Sequence, residues 1–112
     1  MTKGTHLGEF EQMVLLAVLR EGGEGYGMSI RRELEERAGR EVSIGAVYAT
    51  LDRLEEKGLV RSRDGEATPV RGGRARRHFE LTTDGASALR AARAMMDRLW
   101  DGVDLGRQGR GA

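Results

Sequence analysis

One stretch of this 112-residue sequence, Ser43 to Val60, constrains the fold more than any other. Ser43 is a preferred helix N-cap, and Ile44, Val47, Leu51 and Leu54 recur at the spacing of a single helical face. Gly58 stops that helix, and Leu59-Val60 resumes as extended chain. The opposite face reads as small or polar: Gly45, Ala46, Ala49, Thr50 and Arg53, with Tyr48 at the edge of the apolar stripe. A helix built this way packs through one side, and little protrudes from the other.

A ribbon follows directly. Arg77-His78-Phe79-Glu80-Leu81 alternates as a return strand with Phe79 and Leu81 inward. Asp64-Gly65 and Gly72-Gly73 punctuate the connection, and Pro69 keeps its middle out of a hydrogen-bonded ladder. Between Arg61 and Phe79 stand six arginines (Arg61, Arg63, Arg71, Arg74, Arg76, Arg77) against Asp64 and Glu66, in a chain whose net charge is only +1. A concentrated positive field on a near-neutral body suits a polyanion, although a solvated loop has the same composition.

The flanks complete the pattern. From Gly8 to about Arg20, Phe10, Met13, Val14, Ala17 and Val18 make a helix face, and Leu15, Leu16 and Leu19 widen it toward burial on more than one side. Tyr26-Gly27 opens a second helix reaching about Ala38, with Met28, Ile30 and Leu34 expected inward. Its charged outer face, Arg31 to Arg37, is spaced for local pairing, and Gly39 fits a left-handed stop. Thr82-Thr83-Asp84 starts a fourth helix running to about Val103, whose seam is Leu89, Ala92, Met96, Leu99 and Val103. The expected fold is mainly α with a two-stranded β wing, a winged helix-turn-helix in the order α-α-α-β-β-α. Residues 1–81 would form the DNA-binding domain, 82–105 a dimerisation helix and 106–112 a flexible tail.

Composition excludes other classes. With no cysteine and with His6 and His78 far apart, neither a disulfide nor a metal site is expected. No nucleophile stands beside a base and no glycine loop suits a phosphate, so the chain reads as neither an enzyme nor a cofactor binder. The apolar run Met13–Leu19 is too short to span a bilayer and follows acidic residues, which points to a cytoplasmic protein without a signal peptide. Aromatics make up only 4% and glycines number 17, so the core is thin and a second subunit is expected to cover the Leu89–Val103 seam.

These residues resemble a known family. The string from Ser43 to Leu59 is similar to the recognition segment of PadR-like transcriptional regulators, as are Tyr26-Gly27 and the run from Gly73 to Gly85. The resemblance implies a dimeric bacterial DNA-binding protein, most often a repressor, of the short subfamily that dimerises through one C-terminal helix. Ile44 stands where many members carry proline, and Phe79 where tyrosine is usual. MarR-like winged helices are a fold-level alternative, but they flank the DNA-binding part with more helices.

On this reading double-stranded DNA is the partner. Ser43 caps its helix and sits where a phosphate would bind. Gly45, Ala46 and Ala49 let the helix into a major groove, where alanine can touch a thymine methyl, or else they are ordinary helix surface. The resemblance favours a phosphate contact for the Tyr48 hydroxyl. Thr50 and Arg53 read as base or backbone contacts, with pairing to Glu56 the alternative for Arg53. Arg71, Arg74, Arg76 and Arg77 are the wing contacts, and His78 an exposed strand residue. Met95, Met96 and Trp100 read either as dimer packing or as the wall of a site for a small hydrophobic effector. The competing function is a winged-helix module that binds protein or RNA without reading DNA sequence.

Overall fold

A computed structural model of the chain describes residues 6–67 and 75–106. Its elements are α1 (Glu9–Arg20), α2 (Gly27–Ala38), α3 (Ile44–Glu56), β1 (Val60–Ala67), β2 (Ala75–Leu81) and α4 (Thr83–Trp100). The fold is a winged helix in the expected order. Expected contacts Arg71 and Arg74 lie outside the described residues.

Short polar side chains set the helix starts. The Ser43 hydroxyl accepts from the Ala46 amide at 3.0 Å, and the Thr82 hydroxyl accepts from Gly85 at 3.0 Å. Ser29 Oγ accepts from the Tyr26 amide at 2.9 Å, and a Glu11 carboxylate oxygen accepts from Gly8 at 3.1 Å. At the end of α2, Gly39 takes φ +64°, and the amides of Gly39 and Arg40 bond back to the carbonyls of Glu35 and Leu34. α4 stops at Trp100, short of the expected Val103, because Asp101 leaves helical geometry and Gly102 turns to φ +79°.

The core draws on every element. Val14, Leu15 and Val18 of α1 meet Ile30 and Leu34 of α2, Val47, Leu51 and Leu54 of α3, and Phe79 of β2. The ribbon is antiparallel, with Val60 opposite Leu81, Ser62 opposite Phe79 and Asp64 opposite Arg77, and its register shifts between Asp64 and Ala67. Phe79 also anchors the ribbon through its backbone, since its amide donates to the Gly25 carbonyl at 2.8 Å. The turn between α1 and α2 thereby acts as a third, one-residue strand.

Three expectations need correction. Thr50 is not on the outer face of α3: it is 2% exposed. Position 50 follows Val47 by three residues and precedes Leu54 by four, so it joins the inward stripe. Its hydroxyl is satisfied there by accepting from Arg53 Nη2 at 3.2 Å. Met28 is exposed although it was expected inward, because α2 turns Gly27, Ile30 and Leu34 to the core and position 28 points away. Leu16 and Leu19 are also exposed on the single chain, which buries α1 on one side only.

Candidate nucleic-acid interface

The outward face of α3 changes character along its length. Gly45, Ala46 and Ala49, in the N-terminal half, are all exposed and carry nothing longer than a methyl group. The acids Asp52, Glu55 and Glu56 enter only in the C-terminal half. A helix with this gradient can approach polyanionic DNA only N-terminus first, where its dipole is positive and its surface bare.

Tyr48 flanks this face and is 38% exposed. Its ring lies against the first residue of α2, where a Cβ at Gly27 would collide with the ring carbons and the hydroxyl. The ring is therefore packed while part of the side chain stays open. The sequence marked Tyr26-Gly27 as the opening of α2 and as a family likeness, and the structure adds the reason for the glycine.

Arg53 is less free than its position suggested. Its Nε lies 3.7 Å from Glu11 of α1, whose carboxylate also receives Lys57 Nζ at 2.9 Å. Burial pushes the Glu11 carboxyl up, but Lys57, the Gly8 amide and Arg53 together outweigh it and hold the group below the usual carboxylate range. Glu11 thus pins the C-terminal half of α3 to α1, a role the sequence did not announce.

The wing field is also narrower than the arginine count implied. Arg61 pairs with Glu80 at 3.2 Å, Arg63 with Glu24 at 3.4 Å, and Arg77 with Asp52 and Glu55. Glu80 belongs to β2, whereas Glu24, Asp52 and Glu55 come from outside the wing. Arg76 has no carboxylate partner among the described residues, and its guanidinium lies 4.3 Å from the Tyr26 ring centroid. His78 is half-buried, with Nδ1 2.7 Å from the Glu24 carbonyl. The carbonyl can only accept, so Nδ1 carries the proton.

A second surface lies away from α3. Between α1 and α4 is an open, mostly apolar hollow of 620 Å³, lined by Leu16, Leu19, Leu81, Leu89 and Met96 with Gln12, Arg90 and Arg93. Met96 reaches it, whereas Met95 and Trp100 do not line it and stay exposed on α4. Of the expected seam, Leu89 packs on the core and Ala92 is half-buried, while Met96, Leu99 and Val103 remain exposed. Among the described residues no group of three or more histidines, aspartates or glutamates is gathered as a metal site would need, and no helix is long and apolar enough to cross a membrane.

The sequence model of the transcriptional regulator PadR-like family matches residues 15–91, from the middle of α1 into α4. The chain belongs to the PadR-like family. It is a DNA-binding transcriptional regulator, and the matched span contains both α3 and the wing. Among solved structures, RosR from H. salinarum is 30% identical at a TM-score of 0.65, covering 93% of this chain and 86% of that one. A complex structure of RosR is 32% identical at a TM-score of 0.65, covering 93% and 82%. A PadR-like transcription factor from Bacteroides fragilis is 27% identical at a TM-score of 0.69, covering 82% and 84%. No curated protein matches the chain. Within this PadR-like regulator, sequence reasoning missed the role of Glu11, and it noted Gly27 and Gly85 within the family resemblance without the close packing that requires them. A Cβ at Gly85 would run into the Leu59 carbonyl, so the first turn of α4 can sit on the corner between α3 and β1 only with glycine there.

Proposed function

We propose that this regulator works as a homodimer, reading a pseudo-palindromic operator with two copies of α3 and repressing by occupying it. The observation that carries the reading is the exposed, side-chain-poor N-terminal half of α3, with the wing of the same domain beside it. Gly45, Ala46 and Ala49 would follow the major groove floor, Ser43 and Tyr48 would meet flanking phosphates, and Arg76 would extend the contact along the wing. Arg71 and Arg74, outside the described residues, are proposed as further phosphate contacts from their place among the wing-loop arginines in the sequence. Phosphate neutralisation would supply much of the affinity, and the α3 face the choice of sequence.

Dimerisation is supported by the apolar residues that a single chain leaves open: Leu16 and Leu19 on α1, and Met95, Met96, Leu99 and Trp100 on α4. Leu99 is 67% and Trp100 52% exposed, and large exposed apolar side chains of this kind support an interface there. The hollow between α1 and α4 favours an added layer of control, in which a small hydrophobic effector binds there and shifts the spacing of the two α3 helices.

Ala49→Glu tests the α3 reading. The site is exposed, so stability should change by no more than about 0.5 kcal/mol, as is typical of surface changes, and the melting temperature should stay nearly unchanged. Operator binding in an electrophoretic shift should disappear, because a carboxylate would face the groove. Unchanged binding would show that another surface meets DNA and would overturn the α3 reading.

A further inference from the structure

We infer that Arg77 serves DNA binding as a positioning residue, holding the wing at a fixed angle to α3 through Asp52 and Glu55, and is not itself a phosphate contact. The inference rests on the reading that α3 and the wing share one DNA surface. Sequence reasoning had grouped Arg77 with Arg76 and Arg74 as equivalent charges, and the geometry separates it from Arg76.

Asp52 and Glu55 stand three residues apart on α3, so their carboxylates lie side by side on the helix surface. Arg77 Nη1 reaches Asp52 Oδ1 at 3.3 Å, while Nη2 bonds Glu55 Oε1. The guanidinium carbon lies 5.0 Å from the ring centroid of Phe79, which is fully buried. The other Glu55 oxygen accepts from the Ser62 hydroxyl of β1 at 2.8 Å. One carboxylate of α3 therefore grips both strands of the wing. The Ser62 hydroxyl, against partial burial, and Arg77 keep Glu55 ionised by lowering its pKa.

A guanidinium shared by two carboxylates contributes little net field to a phosphate, and docking on DNA would have to break both pairs. Neighbouring Arg76 points to the other side of the strand, toward Tyr26, with no carboxylate on it among the described residues. Exposed ion pairs add little to global stability. A planar fork seated on two carboxylates and an aromatic ring instead restricts orientation, which is what a two-part DNA surface requires.

The test measures affinity and its salt dependence by fluorescence anisotropy, using a mixed-sequence duplex long enough for two successive grooves. Each variant is first checked by circular dichroism to be folded at the working temperature. Arg77→Ala should weaken binding about two- to 150-fold, the span of interaction energies between coupled neighbours. The slope of log affinity against log salt should match the parent protein, whereas Arg76→Ala should lower it by about one. Glu55→Ala should also weaken binding, although it removes a negative charge from the DNA side. The double variant should be about as weak as either single one, and Arg77→Lys should recover part of the loss. If Arg77→Ala does not fold, Arg77→Lys and Glu55→Ala carry the test. A reduced salt slope for either Arg77 variant, or binding by Glu55→Ala as tight as the parent protein, overturns the proposal. Ala49→Glu in the same series separates the two levels. If it binds normally the shared DNA surface itself is wrong, and if it fails while an Arg77 variant lowers the slope, only the positioning role is lost.

Discussion

At the scale of single residues, a few side chains each hold two elements together. Glu11 is the clearest: its side chain is 13% exposed, and it takes Arg53 of α3 and Lys57 just past that helix while accepting from the amide of Gly8. Its folded pKa is lowered, as is that of Glu55. The stability each adds is therefore fully present above the unfolded carboxylate value of about 4.3, and is lost as pH falls through the lowered folded value. Glu11→Gln should cost about 1 kcal/mol at neutral pH, the scale of a hydrogen bond to a charged group partly replaced. It should also remove part of the acid-side loss. Thermal unfolding at neutral pH and below about pH 4 checks both points, and a variant that keeps the full acid-side loss contradicts the assignment. None of this was legible in the sequence, because Glu11 and Lys57 are 46 positions apart and long-range pairing leaves no periodicity. Thr50 was misread for a related reason: threonine looks polar, but its angular position beside Val47 and Leu54 decides where it goes.

At the scale of elements, periodicity and caps carried most of the fold. Ser43, Thr82, Gly39 and Gly58 mark the boundaries they were expected to mark, and Phe79 faces inward on β2 as alternation required. Periodicity said less about partners. It could not tell that Arg61, Arg63 and Arg77 would be paired by Glu80, Glu24, Asp52 and Glu55, since three of those four acids lie outside the wing. The wing should therefore engage DNA through fewer charges than it contains. Arg76→Ala is expected to weaken binding to specific and random duplexes alike, and to lower the salt slope by about one. A loss confined to one operator base pair, at constant slope, would instead mean that Arg76 reads a base.

At the scale of the whole molecule, the radius of gyration is 16.9 Å, against about 13 Å for a compact chain of this length. An elongated chain with an apolar stripe exposed on α4 is what the proposed homodimer requires. The sequence showed this as a stripe from Leu89 to Val103 with too little core to cover it, and the proposed second subunit would cover it. Two-fold association repeats every contact, so one charged residue on the seam acts twice. Leu99→Glu should then give a monomer by light scattering, with its fold intact. Hydroxyl-radical footprinting of the parent protein and this variant, on DNA selected from a random pool, tests the central claim most directly. The account predicts two protected patches about 34 Å apart on one face of the duplex, the spacing of successive major grooves, and their loss in Leu99→Glu. A single patch for the parent protein, or an unchanged double patch for a monomeric variant, would contradict it.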